Sequence, residues 1–308
     1  MLTKTHTNIG KGIAILLVIF GHILLELFYI PTFIQSIGVF LFLILSGYGI
    51  TASVNSNPEN KKWFARLKRM KKIMVPYWLV TICKIIALML LGVLSVSVAV
   101  IVEALFFDMN KTIDATMWFI LYIIVWYITG SIIFSITKNK MQAIVSFFLV
   151  ASIFMVFVDL PNWAFYAFGL PIGVLWNSYE DAFLRIIQKI SGWLYLALFL
   201  ALATASTSIV HSFKTAMPTT LLAALLILCF VYKVVAHNSI LEYLGKNSYE
   251  LYLIEGFWLY STGFIYDRYS EFINLFLYLG LLTGSYLLWV VARKFLLQSK
   301  TIQNLWTT

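Results

Sequence analysis

Two cysteines in 308 residues, Cys83 and Cys229, both inside apolar runs, leave too little material for a disulfide framework or a thiolate metal site. Charge is also scarce. Only 11% of the residues are Asp, Glu, Lys or Arg, against 61% hydrophobic, and that ratio excludes a soluble globular domain as the main body. The 13 acidic residues stand against 22 basic ones, a balance of +9 that in a soluble chain would point to nucleic acid. Here the cations sit in short segments between apolar spans, as membrane orientation requires, so no nucleic-acid partner is expected. No GxSxG elbow occurs, and no histidine or acid is spaced to make Ser46 a hydrolase nucleophile. The histidines include no pair at metal-ligand spacing, so no metal is expected either. Internal repeats and low-complexity tracts are absent.

What remains is apolar length. Runs able to cross a bilayer as helices lie near 9–30, 33–51, 73–91, 117–136, 141–158, 163–176, 190–209, 217–235, 249–266 and 272–297. The sixth is short and holds Pro171, and residues 92–107 read as a re-entrant segment or an extension of the third helix. The expected fold is an all-α integral membrane bundle of about ten helices in the lipid bilayer. The first run has a basic flank but no small-residue cleavage site, so it reads as a retained helix. Placing both termini in the cytoplasm puts 18 of the 22 cations on that side and leaves three outside (Lys111, Lys214, Arg268) and one, Lys84, within a span. The outer connections are then acidic, through Glu103, Asp108, Asp114, Asp159, Asp267 and Glu271. Residues 1–308 read as a single transmembrane domain with no additional extracellular one.

Within the first run, KGIAILLVIFGHILLE at 11–26, an imidazole is embedded among apolar side chains. On an ideal helix Lys11 and His22 lie about 16 Å apart along the axis and about 20° apart around it. Glu26, four residues on, shares that face. An unpaired imidazole in hydrocarbon costs several kcal/mol, so His22 is either a packed histidine bonded to a neighbouring helix or a functional group. Its neutral form accepts a proton from an alcohol near pH 7, which suits a general base. Glu26 is placed to orient the ring, or to pair with a lysine on another helix.

Three further groups stand out. Lys61 to Lys72 carries seven cations in twelve residues, the composition of an inside-facing loop or an anionic-lipid contact. Lys84 lies too deep to snorkel well and calls for a buried partner such as Glu26 or Glu255, or else for an acceptor. Trp118, Tyr122, Trp126 and Tyr127 form either a sugar-stacking surface or an aromatic belt at the membrane edge. Ser46-Gly47 is a small pair suited to close helix packing.

Lys11-x10-His22, LFLILSGYGI at 41–50, Arg66-x-x-Arg69 leading into IMVPYW at 73–78, Trp118-Phe119, and LGKNSYELYLIEGFW at 244–258 occur in an order that resembles the membrane acyltransferase 3 family. The resemblance covers nearly the whole chain. It implies a ten-helix O-acyltransferase of the bacterial cell membrane that modifies envelope sugars, with acyl-CoA, acetyl-CoA first, as donor. It further implies that Arg66 and Arg69, one fork on a helix, clamp the coenzyme phosphates, joined by Lys11 and Lys72. His22 becomes the base. Lys84, Trp118 and Tyr122 are candidates for the acceptor, a polysaccharide or lipid-linked sugar delivered by polysaccharide-synthesis machinery. The chain departs from the pattern in having Lys11 where the family has arginine, Asn8 where an acid is frequent, and Glu255 where a histidine commonly ends the SYxxYLxH motif. A carboxylate also accepts a proton, so Glu255 joins His22 and Glu26 as a catalytic candidate. A transporter, with His22, Glu26, Lys84 and Glu255 as its polar path, is the rival from another class.

Overall fold

The computed structural model describes residues 2–57, 63–92, 97–106, 113–209, 213–235, 237–262, 265–266 and 269–298, with 63–69, 203–209, 213–214 and 297 described in backbone only. These residues form helices joined by short loops and contain no strand. The chain is all-α. It divides by contacts into two units.

The first unit takes Met1–Gly21, Pro31–Lys61 and Gly130–Ser248. It holds most of α1 (Lys4–Glu26), α2 (Ile34–Ser56), the end of α5 (Trp118–Ile136), α6 (Lys140–Phe157), α7 (Pro161–Tyr166) and α8 (Gly169–Ser178). It continues with α9 (Glu180–Lys189), α10 (Gly192–Ile209), α11 (Phe213–Val234) and α12 (Ser239–Lys246). Small residues set a close crossing of α2 and α8. A Cβ on Gly47 of α2 would stand 2.1 Å from the Leu170 carbonyl, and one on Gly173 of α8 would stand 2.0 Å from that of Ile44. The two backbones touch there, which gives Ser46-Gly47 the packing role its size allows. α9 presents Leu184 and Ile187 inward, and the chain turns by 89° into α10. The Lys233 ammonium stops α9, donating to the carbonyls of Ile187 (3.3 Å), Gln188 (2.6 Å) and Ile190 (2.5 Å).

The second unit takes His22–Ile30, Lys62–Thr129 and Tyr249–Thr308. Its helices are the end of α1, α3 (Trp63–Leu90), α4 (Val98–Leu105), most of α5, α13 (Ser248–Gly256) continued by a π-helical turn over Phe257–Ser261, and α14 (Glu271–Gln298). Residues 98–105 form a helix of their own rather than an extension of α3. Ser97 caps α4 by accepting from Val100 N–H at 3.3 Å. Two α3 side chains then tie it back, the Tyr77 hydroxyl to the Ala104 carbonyl at 2.5 Å and the Trp78 indole N–H to the Leu105 carbonyl at 3.0 Å.

Among the described residues, seven helices are long and apolar enough to cross a membrane, and eight if the bent α9–α10 pair counts as one span. Two of the expected spans are not single helices. Residues 163–176 fall into α7 and α8, which part ahead of Gly169 and Pro171. A proline is tolerated in the first turn of a helix and breaks its interior, so Pro171 belongs at the start of α8. The 249–266 segment changes from α to π geometry after Gly256.

Candidate active site

The C-terminal turn of α1 carries His22 into the second unit, and α13 supplies what it meets. His22 Nδ1 is 3.1 Å from both carboxylate oxygens of Glu255, a residue 233 positions away. The Glu255 side chain has no accessible surface and that of His22 only 13%. A buried carboxylate holding one ring nitrogen fixes the tautomer: Nδ1 carries the proton donated to Glu255, and Nε2 keeps its lone pair. Edge-on to the imidazole stands the Tyr260 ring, centroids 5.6 Å apart at 87°. The Tyr260 hydroxyl in turn interacts with Glu26. The partner that orients His22 is therefore Glu255 across the helix pair, and Glu26 on its own helix turns toward Tyr260.

The sequence of α13 explains why Glu255 stays in place. Tyr249, Tyr252 and Glu255 recur every three residues and so line one stripe. The Tyr249 hydroxyl donates to the Ile73 carbonyl of α3 at 2.7 Å, and the Tyr252 hydroxyl to the Thr116 carbonyl ahead of α5. The SYxxYLxE motif is thus a set of ties, with the acid at the end of the row.

The same helix supports a second buried pair. Lys84 Nζ lies 2.6 Å from Asp114 Oδ2, with 5% and 0% of the two side chains accessible. Asp114 Oδ1 accepts from the backbone N–H of Thr116 at 2.8 Å and from its hydroxyl at 2.7 Å. This corrects two expectations. Lys84 pairs with Asp114 and not with Glu26 or Glu255, and Asp114, placed by the sequence in an outer connection, is buried in the protein. The cost of burying an ammonium demands a carboxylate, and 113–117 supplies one because Asp-x-Thr folds its backbone donors onto its own side chain. The absence of a side chain at Gly256 makes room for it: a Cβ there would stand 2.5 Å from Thr116 Oγ1 and 2.7 Å from Asp114 Oδ1. Asp114, Glu26 and Glu255 all act electrostatically on His22, so the imidazole sits among three carboxylates and one ammonium neutralises part of that charge. Beside Lys84 a cavity of about 310 Å³ opens, lined mainly by apolar side chains including Val80, Phe257, Trp258 and Trp289.

Other candidates are placed differently. Tyr122 has no accessible surface; its ring is tilted against Trp118 (6.0 Å) and edge-on to Trp126 (6.3 Å). Trp118 is half-buried in the same cluster, its ring 5.9 Å from Phe119. Lys72 is exposed on α3, Lys11 half-buried on α1. Arg66 and Arg69 lie in the first turns of α3 with side chains outside the described residues. His6 bonds Thr3 and packs on Tyr232, and His237 pairs with Glu242. His211 is outside the described residues, among which no three His, Cys, Asp or Glu side chains converge on a metal position.

A buried imidazole and carboxylate at the end of a membrane helix would suit several reactions, and comparison with known families narrows them. The acyltransferase 3 family model, an acyltransferase domain, matches residues 7–294. The chain belongs to this family. Comparison with curated proteins gave no match, and comparison with solved structures gave none. As a multi-pass membrane acyltransferase, the chain needs a base for its acceptor, and the buried His22–Glu255 pair has the chemistry of one. Sequence reasoning missed Asp114 and Tyr260 as members of this acyltransferase's polar cluster. The first had a signal, since a buried Lys84 requires an anion and Asp114-Ala-Thr116 precedes a helix. The second had none, because the π turn that aims it leaves no mark in hydrophobic spacing.

Proposed function

We propose that this acyltransferase moves an acyl group, acetyl first, from acyl-CoA to a hydroxyl of a cell-envelope or extracellular polysaccharide, in a bacterial cell membrane with both termini cytoplasmic. The observation that carries the reading is the contact of His22 Nδ1 with the buried Glu255 carboxylate. It leaves Nε2 free to take the proton from the acceptor hydroxyl as that oxygen attacks the thioester carbonyl. The C–O bond forms, the C–S bond breaks, and the imidazolium, stabilised by Glu255, returns its proton to the departing thiolate. No other reactant is needed. Lys11, Arg66, Arg69 and Lys72 would hold the coenzyme phosphates, the chemistry for which forked guanidiniums and ammonium groups are suited. Catalysis then rests on positioning donor and acceptor on either side of one base.

The test is His22→Ala in the full chain, with ester content of the cell's polysaccharide and protein abundance read together. Loss of the ester at unchanged abundance is expected. A variant that esterifies normally removes His22 from the mechanism and the proposal with it.

A further inference from the structure

Between α6 and the end of α8, within the first unit, runs a groove of about 520 Å³ that the mechanism above does not use. Its α6 wall is the stripe Met141, Val145, Phe148, Leu149 and Ser152, faced by Tyr179 just past the end of α8. We infer that this groove binds one anionic phospholipid, with an acyl chain lying along α6 and the phosphate held by Lys138 and Lys140.

Length is the first observation. The α6 residues recur at helical spacing on one face, and from Met141 to Ser152 that stripe rises about 16 Å. The hydrocarbon core of a bilayer is about 30 Å thick, so the groove runs the depth of one leaflet, starting from the membrane edge where Lys140 opens the apolar span. Met141, Val145 and Leu149 along it are 58%, 47% and 59% exposed. A bilayer fills such a recess with hydrocarbon, because a void forfeits its dispersion contacts.

Charge at one end only is the second. Lys138 and Lys140 stand where the groove begins, both exposed, and neither has an acidic partner among the described residues. The other end, at Ser152, continues into Ile153-Phe154-Met155 without a charge. Glu180, next to Tyr179 in the chain, spends its carboxylate on the Leu2 N–H and the Tyr48 hydroxyl, each at 2.7 Å, and not on Lys140. An apolar channel with unpaired cations at one mouth is complementary to an anionic amphiphile.

The third is the pose of Lys140. Its ammonium does not extend into water but lies 4.5 Å from the centroid of the Tyr179 ring, which is itself a wall of the groove. The Tyr179 hydroxyl in turn reaches Met141 Sδ at 3.8 Å. The cation is thereby held at the lip, where the phosphate of a lipid stands above its chain. Membrane orientation accounts for basic residues at this end of α6, but not for a cation fixed over a groove one leaflet deep. With the termini cytoplasmic, as proposed above, this mouth opens on the leaflet richest in anionic lipid.

The experiment is native mass spectrometry of the full chain in detergent, titrated with phosphatidylglycerol and, separately, with phosphatidylethanolamine of the same chains. One phosphatidylglycerol per chain is expected to bind ahead of any other lipid, with phosphatidylethanolamine about ten-fold weaker. A cation beside an anionic lipid is worth roughly five-fold in affinity, so Lys138→Gln combined with Lys140→Gln should weaken phosphatidylglycerol about thirty-fold and leave phosphatidylethanolamine unchanged. Both positions are exposed, so the variant keeps its fold. A phosphatidylglycerol carrying a diazirine in its chain is expected to crosslink within 141–152. Equal affinity for the two lipids overturns the inference, as does phosphatidylglycerol binding that the double substitution leaves unchanged. A crosslink elsewhere in the chain overturns it too. A polyprenyl phosphate that displaces phosphatidylglycerol at equal concentration would assign the groove to a carrier lipid instead. None of these readouts depends on acyl transfer, so the enzyme reading stands or falls separately.

Discussion

Replacing Glu255 by Gln isolates what the charge does from what the shape does. The amide is isosteric with the carboxylate and its oxygen still accepts from His22 Nδ1, so the ring stays where it is. What is lost is the field on the imidazolium that forms as the acceptor hydroxyl gives up its proton. At the observed 3.1 Å, and at an effective dielectric of about 20, two unit charges attract by about 5 kcal/mol. Glu26 and Asp114 supply part of that field in the variant, so the transition state should lose about 3–5 kcal/mol, a fall in kcat of roughly 10² to 10⁴. The assay is turnover of labelled acetyl-CoA onto polysaccharide by the full chain, with donor and acceptor half-saturation measured alongside. Both should hold, because the Glu255 side chain has no accessible surface. A Glu255→Gln variant of normal abundance whose kcat stays within threefold of the unsubstituted protein refutes the assignment. So does one whose loss lies wholly in substrate affinity.

Two further outcomes follow from the second buried pair. Lys84→Met and Asp114→Asn should each lower stability by about 3–5 kcal/mol by leaving one partner uncompensated, while the double variant recovers much of that loss; thermal unfolding in detergent gives the cycle, and strict additivity would show that the pair is not coupled. Gly256→Ala drives a methyl group to within 2.5–2.7 Å of Thr116 Oγ1 and Asp114 Oδ1, so it should cost at least tenfold in turnover at near-normal abundance, checked in the same transfer assay. Unchanged turnover would mean that the Asp114 loop gives way freely and does not position the site.

Much of this molecule is legible in its sequence. Long apolar runs and scarce charge give the all-helical membrane fold, because hydrocarbon tolerates little else. His22, Glu255 and Lys84 each stand out as polar groups in apolar surroundings. Their pairing does not, since spacing along one helix brings Glu26 to mind for His22, and only the folded chain brings α13 across 233 residues to take that place. Sorting charges by side places Asp114 in an outer connection, and such sorting is blind to loops that turn inward. The broken spans at Gly169 and Gly256 have apolar composition without a break, so hydropathy passes through them.

The π-helical turn at Phe257–Ser261 has a consequence of its own. A turn that bonds five residues ahead instead of four holds more chain than an α-turn of the same rise, and everything after it is out of phase with everything before. Glu255 lies ahead of that shift and Tyr260 within it, yet both reach the same imidazole. Their convergence is therefore set by a count of residues rather than by the identity of any one. Scanning the helix with single substitutions keeps the count and would pass over the device altogether; deleting one residue would restore ordinary α geometry and swing the downstream side chains by about 100°.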